Sequence, residues 1–256
     1  MSGIQIGLVT FLCLLGGALV GVFLHPLLPG SHRTKDTQRV VKRGIGMLIT
    51  VAALVLSLLT YSVKTSFDNT ETNVRAFAAD IVVLDRSLRA YGPEAAPARA
   101  LLRRYTTDVL HSTWPEEFGG QEHDIVAEDP RLGDLLVELH DKIRALDPQD
   151  AVQREAAREC LDNIHTVVAK RFDVVEQIRK SIPPLMLWGV VAWLTVIFTS
   201  FGLNAPRNAV VVGTLAICAL SISSSIFLID EMDTPLNGVI KISSAPFRDA
   251  LANELR

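Results

Sequence analysis

Four apolar segments, two near each end of the chain, constrain the fold more than any other feature; they cover 4–24, 44–63, 184–203 and 209–229. Each is about 20 residues long with almost no charge, which at 1.5 Å per helical residue matches a hydrocarbon core of roughly 30 Å. In lipid, only a helix satisfies its backbone polar groups within one such segment. All four therefore read as transmembrane helices. With 49% of its 256 residues hydrophobic, the chain suits a multi-pass membrane protein whose first partner is the lipid bilayer. The fold class expected is an all-α integral membrane protein, with four transmembrane helices in two pairs. A helical-bundle extramembrane domain is inserted between helices 2 and 3.

The boundaries follow from that pattern. Residues 1–63 hold transmembrane helices 1 and 2, 64–183 the extramembrane domain, and 184–229 helices 3 and 4. Residues 230–256 hold an acidic motif and a short amphipathic helix. The first apolar segment is not a cleavable signal: it lacks a basic n-region, and His25-Pro26-Leu27-Leu28-Pro29-Gly30 follows it in place of a small-x-small site.

The second span is expected to continue past the membrane. Apolar residues fall at Phe67, Val74, Phe77, Ile81, Leu84, Leu88 and Tyr91, a sustained heptad seam with no Gly or Pro before Gly92-Pro93. One helix over 44–91 is the reading. A similar pattern, Ala157, Cys160, Ile164, Val167, Val174 and Ile178, leads towards Pro183-Pro184, where a bend is expected. Shorter helices are expected over 97–110 and 131–146. A loop rich in Gly, Pro and acids separates them. In the tail, Ser243-Ser244-Ala245-Pro246 is a helix start signal, and Phe247, Leu251 and Leu255 fall on one side of the helix that follows. That helix packs on the bundle or lies in the membrane interface.

Charge does not fix the orientation. Arg33, Lys35, Arg39, Lys42 and Arg43 lie between the first two spans. Lys64, Arg75, Lys170, Arg171, Arg179 and Lys180 flank the other side, with Lys241 and Arg248 beyond the fourth span, against those five and Arg207, so positive-inside counting nearly balances. No basic run alternates with aromatics, which gives nucleic-acid binding no support.

Several residues invite a site reading. Gly3 with Gly7, and Gly17 with Gly21, have the GxxxG spacing that lets helices approach closely, within one four-helix unit or between subunits. Ser221, Ser223, Ser224 and Ser225, with Thr214 earlier, put hydroxyls into the fourth span. They bond the carbonyl three or four residues back, or they line a wet path. Asp230, Glu231 and Asp233 follow directly, where a helix dipole disfavours anions. They call for a side-chain cation such as Arg179 or Lys180, or for a bound cation such as Ca²⁺. His111, Glu116, Glu117, His123 and Asp124 gather around Trp114-Pro115 without metal-ligand spacing. Cys13, Cys160 and Cys218 lie in separate segments and form neither a CxxC pair nor a disulfide framework. No catalytic motif appears, so neither an enzyme nor a cofactor is expected, and no metal site is assigned.

The chain resembles a bacterial family of four-span membrane proteins catalogued as bestrophin-like. The resemblance rests on the two-plus-two arrangement of spans, His-Ser-Thr-Trp-Pro-Glu at 111–116, and Phe-Leu-Ile-Asp-Glu-Met-Asp-Thr-Pro-Leu-Asn-Gly at 227–238. Characterised bestrophins are pentameric anion channels lined by their second spans, some with a Ca²⁺-binding acidic motif. The resemblance implies a homo-oligomeric ion channel with small ions as its permeants, and a bacterial plasma-membrane location with the middle domain cytoplasmic. Pore-lining candidates are then Thr50, Ser57 and Tyr61 of the second span, with Ser221, Ser224 and Ser225 of the fourth. Asp230, Glu231 and Asp233 become the nearest counterpart of the acidic motif. The competing class is a non-conducting sensor or scaffold built on a helical stalk.

Overall fold

A computed structural model of the chain describes residues 3–24, 35–118, 130–178, 182–206 and 208–254. Every regular element among them is helical, with no strand. Helix α1 is Gly3–Leu24 and α2 Lys35–Tyr91; α3 is Ala96–Thr113, α4 Pro130–Arg144 and α5 Ala151–Ile178. The last three are α6, Pro184–Asn204, α7, Ala209–Met232, and α8, Ala245–Glu254. Short 3₁₀ turns at Pro93–Ala95 and Pro115–Phe118 flank α3. Helices α1, α2, α6 and α7 each carry a stretch long and apolar enough to cross a membrane.

Local signals account for the helix ends. Gly92, with φ 123°, ends α2 in a conformation that other residues rarely adopt. The Asp150 carboxylate accepts from the Gln153 amide at 2.7 Å and caps α5. Asn208 does the same for α7 through Val211, at 2.8 Å. Pro183 is extended (φ −59°, ψ 129°) and Pro184 opens α6 at N1, so the tandem prolines start a new helix where a bend in a continuing one was expected. Helix α2 starts earlier than the hydropathy suggests, and Lys35, Arg39, Lys42 and Arg43 belong to it.

The chain divides into two compact units. The first comprises Met1–Phe67 and Lys180–Ile240 and contains the four apolar stretches. Its core joins Leu14 and Ala18 of α1, Ile45, Ala52, Leu59 and Val63 of α2, Leu194 and Phe198 of α6, and Ile226 of α7. Close approach depends on glycine. An added Cβ at Gly202 would overlap the Ala18 carbonyl oxygen and sit 3.0 Å from the Val22 nitrogen. One at Gly21 would overlap the Thr199 carbonyl oxygen and lie 2.8 Å from the Leu203 nitrogen. Gly17 faces Thr195 and Thr199, Gly7 faces Phe227, and Gly3 faces Glu231. All four glycines of the GxxxG pairs thus serve packing within one chain.

The second unit comprises Asp68–Arg179 and Lys241–Arg256. The heptad seam of α2 is its spine: Val74, Phe77, Ile81, Leu84, Leu88 and Tyr91 are all buried. Helix α4 adds Leu132, Leu135, Leu136, Leu139 and Ile143 from one face, and α5 adds Cys160, Ile164, Val167 and Val174. Burial pushes the Cys160 thiol up to about 11, so it is an inert core group. Helix α8 packs here, with Phe247 edge-on to Phe77 at 5.4 Å between ring centroids. Its buried residues are Phe247, Ala250 and Glu254, whereas Leu251 is half-buried and Leu255 lies outside the described residues.

The corner after α3 holds the tail. Trp114 Nε1 donates to the Ile242 carbonyl at 2.8 Å, and its ring packs against Phe247. Glu116 pairs with Lys241, and the Ser244 hydroxyl donates to Glu117 at 2.6 Å. The Trp-Pro-Glu-Glu run at 114–117 is therefore a socket for residues 241–248, while His123 and Asp124 lie outside the described residues.

Candidate functional site

Helix α2 is the least embedded span together with α7. Only 17% of the apolar stretch in each is buried, against 33% in α1 and 39% in α6. The buried positions of α2 form a seam one residue wide, Ile45, Ala52 and Leu59, repeating every seven. Two positions on or back is about 200° around a helix, so the opposite face carries Arg43, Thr50, Ser57 and Lys64, also at sevens. Met47, Leu54 and Tyr61 fall between them at the complementary heptad positions and are 73%, 61% and 73% exposed. Arg43, Thr50, Ser57 and Lys64 are exposed as well. Sequence reasoning had named Thr50, Ser57 and Tyr61 but missed that Arg43 and Lys64 continue their row. The exact sevenfold spacing was the available signal.

The row is chemically ordered: a cation at each end, hydroxyls between, and apolar side chains interleaved. Thr50 donates to the Gly46 carbonyl at 3.1 Å and Ser57 to Ala53 at 2.8 Å, so both hydroxyls keep their outward lone pairs in reserve. Lys64 Nζ also lies 5.8 Å from the Phe67 ring centroid.

The hydroxyls of α7 also bond within their own helix. Ser221 donates to Ile217, Ser224 to Leu220 and Ser225 to Ser221, at 2.8 to 3.1 Å. Buried Ser223 donates to Leu220 at 3.0 Å. Ser221 and Ser224 are exposed, and Ser225 is half-buried.

The acidic motif closes α7. Asp230, Glu231 and Asp233 are all buried at the helix end that disfavours anions. Backbone donors contribute to their compensation. The Val239 amide donates to Glu231 Oε2 at 2.6 Å, and the Ile182 amide faces both oxygens of Asp233 at 3.3 and 3.4 Å. Gly238, with φ 95°, turns the chain back towards Glu231, and a Cβ there would strike its Oε2. Glu231 is thus cradled between Gly238 and Gly3. Arg179 and Lys180, the cations expected from the sequence, lie outside the described residues. Among the described residues no three His, Cys, Asp or Glu side chains converge as metal ligands. A small cavity of about 60 Å³ lies beside Asp230 and Asp233, walled by Ile6, Leu187 and Trp188.

The family description Bestrophin-like domain matches residues 12–247, nearly the whole chain. The chain belongs to the bestrophin-like family. The fold agrees. A bacterial bestrophin homolog from Klebsiella pneumoniae, solved as several single-point mutants, superposes with TM-scores of 0.69, 0.67 and 0.67 in three of them. Identity to these is only 11%, 13% and 14%, yet the alignments cover 98–100% of this chain and 97–98% of theirs. No curated protein matches. This bestrophin-like protein therefore keeps the fold of the Klebsiella homolog on a very different sequence. Both stretches that carry the resemblance have a structural role in it: one is the socket for the tail, and the other is the cradled acidic motif.

Proposed function

We propose that this bestrophin-like protein is a homo-oligomeric, multi-pass channel of a bacterial plasma membrane, with its second helices facing a shared path that prefers anions. The observation that carries this reading is the outward row of α2, Arg43-Thr50-Ser57-Lys64, set opposite the seam that packs against the rest of the chain. Cations at the two ends of a span also anchor it at the lipid interfaces; what points to a path is that they share one exposed face with the hydroxyls between them. Repeated around a symmetry axis, the row makes rings of hydroxyl groups bounded by rings of positive charge, and rings of basic side chains favour anions. The family resemblance, in which second spans line the pore, supports the same assignment. Asp230, Glu231 and Asp233 then act as a structural clasp on α7, and the helical middle domain is cytoplasmic. Ser221, Ser224 and Ser225 are secondary lining candidates.

A second reading is favoured by the uninterrupted α2, Lys35–Tyr91, which suits a non-conducting sensor or scaffold with a helical stalk. Purified protein reconstituted in liposomes separates the two. The channel reading expects chloride efflux above that of empty liposomes, with potassium moving more slowly. An intact oligomer that passes neither ion would favour the scaffold.

A further inference from the structure

Glu254, at the end of α8, is an acid in an unusual setting: its side chain is buried, yet no cation pairs with its carboxylate among the described residues. From α3, the Thr106 hydroxyl lies 2.9 Å from Glu254 Oε1, and Arg103 donates to the Glu254 backbone carbonyl at 2.6 Å. From α2, Arg89 donates to the Asn253 carbonyl at 2.5 Å and pairs with Asp85, which also holds Arg99. Both facing arginines are thus engaged with main-chain carbonyls of α8. Among the described residues, Oε2 is enclosed and has no partner.

Thr106 can accommodate a protonated Glu254, and the enclosed Oε2 without a partner among the described residues favours that state. The Thr106 oxygen is also 3.0 Å from the Leu102 carbonyl, which can only accept. A hydroxyl has one hydrogen, so if Thr106 gives it to Leu102 it can only accept from Glu254. That requires a proton on Oε1, leaving Oε2 as a neutral carbonyl oxygen, which costs far less to bury unpaired than a charged one. A charged Glu254 would instead take the Thr106 hydrogen and leave a buried anion near Asp85.

We propose that α8 is a proton-dependent latch, docked on α2 and α3 with Glu254 protonated and loosened when that proton is lost. The inference does not depend on whether the protein conducts. It adds a control element, because α8 binds Arg89 and, through Phe247, Phe77 of α2, the helix assigned to the path.

The direction in pH follows from linkage. Burial pushes the Glu254 carboxyl up to about 7 from its ordinary 4.5, with the neighbouring Asp85 adding to the rise and Thr106, Arg103 and Arg89 opposing it. A raised carboxyl stabilises docking fully below the released value and loses that contribution as pH rises to the docked one. Docking should weaken by up to about tenfold per pH unit from roughly 5 to 7, then level off.

Hydrogen exchange of the whole protein in lipid nanodiscs between pH 5 and 8 tests this, after correction for intrinsic exchange. Protection of the 245–254 amides should fall about 40-fold between pH 5 and 7 in the wild type, as that linkage requires. In Glu254→Gln it should be nearly flat. The wild-type profile decides even if the variant does not fold, since protection independent of pH would overturn the latch. A variant that retains the full wild-type pH dependence would overturn it as well, by placing the proton elsewhere.

Discussion

Replacing Gly202 with alanine is expected to lower stability by about 3 kcal/mol or more, at or beyond the usual upper range for overpacking. The reason is what the added carbon meets. At Gly202 it overlaps the Ala18 carbonyl oxygen and crowds Val22, and these are backbone atoms of α1 that no rotamer change can move aside. Relief requires separating α1 from α6, which forfeits contacts around Leu14, Ala18, Leu194 and Phe198. Against a total of about 5–15 kcal/mol, such a loss should reduce the yield of folded protein visibly. Gly16 is the internal control: nothing lies within 4 Å of a Cβ there. Alanine at that position should be neutral or stabilise by up to about 1 kcal/mol through helix propensity. Thermal unfolding in detergent reads both, and equal tolerance would show that the α1–α6 packing is wrong.

The second large effect is on selectivity. Arg43→Glu combined with Lys64→Glu should turn an anion-preferring path into a cation-preferring one. In a symmetric oligomer each substitution repeats around the axis, so two rings of positive charge become two rings of negative charge. Neither position belongs to the buried seam of Ile45, Ala52 and Leu59, so folding should survive. In planar bilayers under a potassium chloride gradient, the reversal potential should change sign. An ideally selective path sits about 59 mV from zero per tenfold gradient of a monovalent ion. An unchanged reversal potential would remove α2 from the conducting path.

The sequence was most legible where one physical constraint dominated. Span length and hydropathy located α1, α6 and α7 closely, and the heptad seam foretold that α2 runs unbroken to Tyr91. Hydropathy failed at the start of α2: Lys35, Arg39, Lys42 and Arg43 end the apolar window, yet Lys and Arg are good helix formers. The outward row of α2 escaped notice for a different reason. It mixes Arg, Met, Thr, Leu, Ser, Tyr and Lys, so it has a period in position but none in hydrophobicity. The acidic motif was recognised without its backbone partners, because the return of the chain at Gly238 is a matter of dihedral angle. The tail helix shows the same limit. An apolar pattern points to Leu251, and nothing local suggests that Glu254 is the side chain to bury. Nor does sequence alone bring Trp114 to Ile242, a contact between residues more than a hundred positions apart.

Cysteine modification along α2 in the reconstituted protein tests the central claim most directly. Ser57→Cys lies in the outward row, and Leu59→Cys, two residues on, lies in the buried seam. With the native Cys13, Cys160 and Cys218 replaced by alanine, a charged thiol reagent added to the aqueous phase should block chloride current through the Ser57 variant and leave the Leu59 variant unaffected. Block at Leu59 with none at Ser57 would contradict the account, as would chloride current that neither modification alters.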